Sequence, residues 1–335
     1  MKVQFDHHMP FSLAHGGLQP QLIQTKAALE KAGVETDYLR WWDAGQRADI
    51  IHFIGRPATE YVNFAHGKNC RFIFAELLTG TGSRSRVELA AQKITTSVLR
   101  KILPRTLAGR MAWDAYRLAD ACIALTPWEA HLMHYLFGVS KKRIYVVSNG
   151  VEEVFLNSAK AARGRWLVCT ATITGRKRVL ELAQAAVRAQ TPVWIIGKPY
   201  SESDPYAQQF LALARLHPQI LRYEGAIADR AWLAQIYREA RGFVLLSNME
   251  SLSLSALEAA ACECPLLLSD LPWARSSFGD AARYCPVGSP ELAAKLLRKF
   301  YDTAPSQAPP PKPASWEDVA RQLKSVYERV LNAAK

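Results

Sequence analysis

Two carboxylates eight positions apart, Glu250 and Glu258, are the side chains of this chain best placed to hold a ligand. Glu250 follows an apolar run, Gly242 to Ser247, that reads as a buried strand. Glu258 lies in the Ala-rich helical stretch after it, and a second apolar strand begins at Pro265. Ligands of parallel α/β sheets sit where a strand ends and the next helix begins. The amides from Ser251 through Leu252 and Ser253 to Leu254, with the positive end of the helix, suit a phosphate there. With Ser251 or Ser253 as the cap, Glu258 lies roughly 7–10 Å along the axis at about 1.5 Å per residue. That is the reach from a bound diphosphate to the ribose of the same nucleotide. Glu250 then faces the group beyond the phosphates, and Glu258 the sugar before them.

A second group of charges has the same chemistry. Arg176, Lys177 and Arg178 end the loop from Thr170 that joins an apolar strand to a helix starting at Val179. Cations at a helix N-terminus oppose the macrodipole, at about 0.3–1 kcal/mol each. A diphosphate reverses that sign, and Arg and Lys are its usual clamps. Two more strand ends, Gly197-Lys198-Pro199 and Glu224 to Ile227, point to the same crevice. Near the N-terminus, His7-His8 and His15-Gly16-Gly17 lead into a helix with Pro20 in its first turn. The spacing is not G-x-G-x-x-G, so a dinucleotide fingerprint is absent.

Positioning these groups requires a repeating scaffold. Short apolar runs alternate with helical stretches along the chain, the pattern of parallel βαβ units. In the first half the strands read near Val3–Phe5, Ile50–Ile54, Phe72–Ala75, Cys122–Leu125 and Ile144–Val147. In the second they read near Trp166–Cys169, Val193–Ile196, Leu221–Tyr223, Phe243–Leu246, Leu266–Leu268 and Tyr284–Cys285. A linker is expected within 149–165, and Ser315 is the expected cap of a last amphipathic helix.

The segment Glu250-Ser-Leu-Ser253-Leu-Ser-Ala-Leu-Glu258-Ala-Ala-Ala-Cys262-Glu263-Cys264-Pro265 resembles the E-x7-E element of the retaining glycosyltransferases of family four, bacterial type. Ser148-Asn-Gly-Val151 resembles that family's P-N-G-V segment, and Ser315-Trp316-Glu317 its terminal crossover helix. The resemblance implies the α/β fold called GT-B, two Rossmann-like parallel-sheet domains facing across a cleft. It places an acceptor-side domain at 1–152, a nucleotide-sugar domain at 153–314 and a helix over 315–335 packing back on the first.

The resemblance also implies the site. Lys177 matches the lysine of the family's R-x-x-x-x-x-K-G phosphate clamp. The partner arginine is missing from Thr170, Ala171 and Thr172, so Arg176 is its expected substitute. Arg178 stands where the family has glycine and is expected to face water. Ser253 and Glu263 also replace family glycines, the latter in a turn. Gly16 and Gly17 match a loop that approaches the donor phosphates, with Gly197 and Lys198 beside it; Ala226 and Ile227 carry the nucleobase contacts. Glu250 holds donor-sugar hydroxyls and Glu258 the ribose. On the acceptor side, His7, His8 and His15 are candidates for acceptor hydroxyls. Glu76 occupies the position where many relatives carry a histidine.

The implied reaction moves a sugar from a nucleotide-diphosphate sugar to a hydroxyl of a glycan or lipid-linked acceptor, with retention, in cell-surface polysaccharide or lipopolysaccharide assembly. The alternatives are a nucleotide-sugar epimerase of the same fold and a non-catalytic nucleotide-sugar-binding member. No D-x-D occurs, so no essential metal and no cofactor are expected.

Composition agrees with a folded two-domain chain: 335 residues, 49% hydrophobic and 21% charged. Six scattered cysteines without C-x-x-C spacing read as reduced thiols, and no run is long enough to span a membrane, so the expected location is cytoplasmic. The net charge is +12. Residues 1–150 supply 19 Lys+Arg against 12 Asp+Glu, and residues 84–117 interleave basic and apolar side chains. That segment reads as an amphipathic helix suited to an anionic membrane surface, on the inner face of the plasma membrane. Nucleic acid is not an expected partner, because no aromatic-interleaved basic module accompanies the charge.

Overall fold

The computed structural model describes residues 1–8, 17–102, 113–157 and 161–333. They divide into two units, Met1–Asn149 with Trp316–Lys335, and Gly150–Ser315. Each unit is built on one six-stranded, wholly parallel sheet.

In the first unit the strands are β1 (Lys2–His7), β2 (Glu35–Tyr38), β3 (Ile50–Ile54), β4 (Arg71–Ala75), β5 (Ala121–Ala124) and β6 (Ile144–Val146). Their order is β2-β1-β3-β4-β5-β6. β3 is buried along its whole length, as the apolar run Ile-Ile-His-Phe-Ile requires between two helical layers. Ile51 and Phe53 pack on one side with Val62, Leu89 and Leu132. On the other side Phe5, His52 and Ile54 line a small pocket with helices Leu18–Lys31 and Trp316–Asn332. The last helix is tied down by the Tyr327 hydroxyl, 2.7 Å from His52 Nδ1, and by Lys324 Nζ donating to the Ala32 carbonyl at 2.8 Å. β2 was not expected from sequence. Its residues, Glu-Thr-Asp-Tyr, are polar because it is an edge strand that needs only one partner, with Lys2 opposite Glu35.

The second unit holds β7 (Leu167–Thr170), β8 (Val193–Ile196), β9 (Leu221–Tyr223), β10 (Gly242–Leu245), β11 (Leu266–Ser269) and β12 (Ala282–Cys285). The order is β12-β11-β10-β7-β8-β9. The chain builds outward from β7 to β9, returns to β10, and builds outward on the other side. β7 and β10 are therefore neighbours whose loops diverge, the switch point at which open parallel sheets bind ligands. Gly242 permits this packing: a Cβ there would lie 2.7 Å from the Phe300 ring, on helix Pro290–Thr303.

All six cysteines are free and five are buried. Burial pushes the thiols of Cys122, Cys169, Cys262 and Cys264 up to about 12, so they stay protonated and unreactive. Among the described residues no helix is long and apolar enough to cross a membrane.

Candidate functional site

The loops after β7 and β10 are joined to each other. The Asn248 amide donates to the Arg176 carbonyl at 2.8 Å, and the Arg176 guanidinium donates to the Met249 carbonyl at 3.2 Å. This zipper brings Lys177 Nζ and Arg176 Nη1 to the same carboxylate oxygen, Glu250 Oε1; Lys177 is in direct contact and Arg176 at 3.4 Å. Glu250 and Lys177 are nearly buried, with side chains 9% and 13% exposed, whereas Arg176 is 39% exposed. Three residues singled out by sequence thus meet at the switch point, two cations around one anion.

Helix Leu254–Ala261 starts beside them. Ser253 is its cap, its hydroxyl accepting from the Ala256 amide at 3.4 Å, and so settles the choice between Ser251 and Ser253. Glu258 lies five residues on and is buried in a separate charged cluster. Arg230 Nη2 contacts Glu258 Oε1, Arg230 Nε donates to Glu152 at 2.8 Å, and the Tyr237 hydroxyl donates to Glu258 Oε2 at 3.5 Å. Burial pushes the Glu258 carboxyl above the usual range, against the pull of the Arg230 charge. Sequence reasoning missed Arg230, Glu152 and Tyr237. A signal existed for Arg230: Asp229 caps the helix Arg230–Glu239, and an arginine in its first turn opposes the dipole as Arg176 and Lys177 do.

Two departures from the family's glycines acquire a physical cost. Arg178 has φ +53 and Glu263 φ +58, both in the left-handed region that glycine occupies without strain. Arg178 does not face water, as its residue type suggested; it is 8% exposed, at the entry to helix Val179–Arg188. Ser253, the third departure, has φ −77 and needs no glycine.

Gly197 has φ +152, and a Cβ there would fall 1.9 Å from the Ala171 carbonyl oxygen, so the β8 end must be glycine to pass beneath the β7 loop. Its N–H donates to the Gly225 carbonyl at 3.0 Å, linking the three strand ends. Lys198 and Ala226 are exposed and Ile227 is half-buried.

In the first unit, His15 and Gly16 lie outside the described residues. Gly17 precedes helix Leu18–Lys31. His7 Nδ1 lies 2.6 Å from the Ile54 carbonyl, and His8 Nε2 bonds the Arg56 carbonyl at 2.5 Å, so the two rings are braced on the last residue of β3 and on the backbone just after it. Glu76 Oε2 takes Arg56 Nε at 2.9 Å and the Tyr116 hydroxyl. Tyr116 stacks on Phe137 with ring centroids 4.0 Å apart, and burial, then Glu76, pushes its phenol well above the ordinary value. His7 and His8 are thus held near one another, and Glu76 is anchored in an ion pair.

The basic segment is only partly as expected. Residues 103–112, with Leu103, Arg105 and Arg110, lie outside the described residues. Within helix Arg86–Ile102, Leu89 and Thr96 face the core. A second apolar stripe points outward: Val87 is 79% exposed, Ile94 65%, Val98 48% and Ile102 69%. Lys93 sits over the Tyr135 ring at 3.9 Å and Arg100 pairs with Asp114 at 3.7 Å, so those charges are partly used within the unit.

The architecture is the GT-B glycosyltransferase fold. Residues 164–302 match the family model of glycosyl transferases group 1. A D-inositol 3-phosphate glycosyltransferase of Acidothermus cellulolyticus is 27% identical over 176 residues, 46% of this chain and 39% of that protein, so the match spans about two fifths of that relative. Sucrose-phosphate synthase from Thermosynechococcus elongatus has the same fold, with a TM-score of 0.70 at 16% identity over 99% of both chains. Anabaena HepE, solved with UDP and glucose, has a TM-score of 0.64 at 13% identity over 100% of this chain and 99% of its own.

Proposed function

We propose that the chain is a retaining glycosyltransferase that uses a nucleotide-diphosphate sugar and needs no metal. The observation that carries this is the meeting of Lys177, Arg176 and Glu250 at the switch point, beside the capped helix that carries Glu258. A diphosphate there is an alternative partner for the two cations, and it also lies at a helix N-terminus. Glu250 would then turn to donor-sugar hydroxyls while Glu258, oriented by Arg230 and Tyr237, takes the ribose hydroxyls. The bond from the anomeric carbon to the phosphate oxygen breaks as the acceptor oxygen bonds the same face. The departing phosphate takes the acceptor proton, and Lys177 and Arg176 stabilise the charge that develops on it. HepE structures with UDP and with UDP-glucose support a nucleotide-sugar donor.

The outward stripe of helix Arg86–Ile102, with Arg86 and Lys101 exposed nearby, supports docking on an anionic membrane and a lipid-linked or glycan acceptor.

The test is thermal stability with UDP, GDP, ADP and their sugars, followed by transfer assays. A nucleotide at a hundredfold its dissociation constant adds about 2.7 kcal/mol. Glu258→Ala should abolish that shift, whereas Glu250→Ala should keep it and lose transfer. Full activity in both variants would reject the site. An inverted anomer by NMR would reject the mechanism, and donor consumption without an acceptor would favour an epimerase.

A further inference from the structure

Two adjacent tryptophans in the first unit are unusually bare. Trp41 is 86% exposed and Trp42 68%, whereas Trp113, Trp194, Trp273 and Trp316 are buried. A large indole surface left in water calls for a partner more than a lone exposed leucine does.

The loop that carries them is closed on itself. Arg40 pairs with Asp37 at 2.9 Å and Asp43 at 3.0 Å. The Gln46 side chain accepts from the Arg40 amide at 2.6 Å and donates to Asp37 at 2.9 Å and to the Tyr38 carbonyl at 3.1 Å. Asp43 in turn accepts from the Gly45 amide at 3.0 Å. The two indoles stand edge to face, centroids 5.5 Å apart at 87°.

Their place in the sheet narrows the occupant. The loop leaves the carboxyl end of β2, where Tyr38 is opposite Phe5 and the Leu39 amide still bonds the Phe5 carbonyl at 2.9 Å. His7 is two residues further along β1, one strand spacing of about 4.8 Å away across the sheet. The indoles therefore flank the strand end read above as the acceptor side.

A membrane surface fits them poorly. Within 37–47 the charges of Asp37 and Asp43 cancel those of Arg40 and Arg47, leaving nothing to attract an anionic leaflet. The outward stripe of helix Arg86–Ile102 belongs to the opposite half of the sheet, since that helix packs on Pro127–Phe137, which packs on β5 and β6. A sugar fits well. The C–H face of a pyranose packs on the negative face of an indole, and the same loop carries the Asp37 and Asp43 carboxylates and the Gln46 amide, groups that bond hydroxyls.

We infer that Trp41 and Trp42 form a subsite for a hexopyranose unit of an extended glycan acceptor, which rests on the transferase reading. Spectra of protein labelled with ¹⁵N-tryptophan report each indole N–H separately, and Trp41→Ala and Trp42→Ala assign the two signals. Titration with maltopentaose, cellopentaose and α-1,6-linked mannopentaose up to about 10 mM covers the millimolar affinities expected of one stacked sugar. Both signals should shift with at least one oligosaccharide, and either alanine variant should weaken that binding tenfold or more with its melting temperature unchanged. Phosphatidylcholine vesicles with and without phosphatidylglycerol form the parallel arm. No indole shift with any of the three sugars, or a shift with vesicles alone, overturns the subsite. UDP added to the same samples separates the two readings. Stabilisation by UDP with silent indoles removes the subsite and leaves the transferase, whereas failure of every nucleotide removes the transferase itself.

Discussion

Replacing Arg230 by methionine should expose how Glu258 is held. In the wild type the Glu258 side chain is 11% exposed and contacts Arg230, which is 39% exposed. Without the guanidinium the buried carboxylate has two choices: stay charged without its cation, or take a proton. Protonation sets a ceiling on the loss. From an ordinary glutamate pKa near 4.3, neutrality at pH 7 costs about 1.36 × 2.7, or roughly 3.7 kcal/mol. At about pH 5 the same ceiling is only about 1 kcal/mol. The exposure of Arg230 moderates the wild-type pair, because solvent screens it. A loss of about 2–3.5 kcal/mol is therefore expected at neutral pH, several degrees of melting temperature for a unit of this size. The sign follows from the direction of the shift. Glu258 is raised in the folded state, so its favourable contribution is full below the unfolded pKa and is lost as pH rises through the folded pKa. Removing Arg230 moves that folded pKa further up and carries the loss to higher pH. Urea unfolding of wild type, Arg230→Met, Glu258→Gln and the double variant, near pH 5 and near pH 7, checks this. The double variant should recover most of the stability at the higher pH. Equal losses at both pH values, or a double variant no more stable than Arg230→Met, would refute the reasoning.

Burial pushes the His52 imidazole down to about 3. Its contribution is present above the unfolded value near 6.5 and lost as pH falls, by about 1.36 kcal/mol per pH unit; His52→Phe should flatten that acid slope in denaturant titrations, and an unchanged slope would count against it. Glu263→Gly relieves a left-handed backbone at φ +58 and should stabilise the second unit by about 1 kcal/mol, since the Lys312 pair it loses, at 3.6 Å, is exposed. A destabilised Glu263→Gly, measured by chemical unfolding, would show that the side chain contributes more than the backbone strain costs. Ile94→Glu with Val98→Glu should abolish co-sedimentation with vesicles containing phosphatidylglycerol while leaving the nucleotide-induced thermal shift intact; retained sedimentation would move the membrane contact elsewhere.

Much of this molecule is written in local pattern. Buried strands such as Ile50–Ile54 and Val193–Ile196 appear at the residues expected of them, because a central parallel strand must be apolar along its length. The E-x7-E spacing and the cations at 176–178 are likewise local, fixed by strand and helix periods. The edge strand Glu35–Tyr38 escaped that reading because an edge needs no apolar run.

Tertiary structure decided what those residues touch. Nothing in the sequence links Arg176 and Lys177 to Glu250, more than seventy positions away; the adjacency of β7 and β10 in the sheet does. Arg230 and Tyr237 reach Glu258 only because their helix packs beside it, and Arg178 is buried although its residue type favours water. The bare tryptophans are likewise invisible in a linear reading, where an apolar side chain is assigned to the core by default. Composition and period set which elements form and which way they alternate. Long-range packing sets which charges meet and which apolar faces stay in water, since those depend on strand order and helix placement that no local window contains.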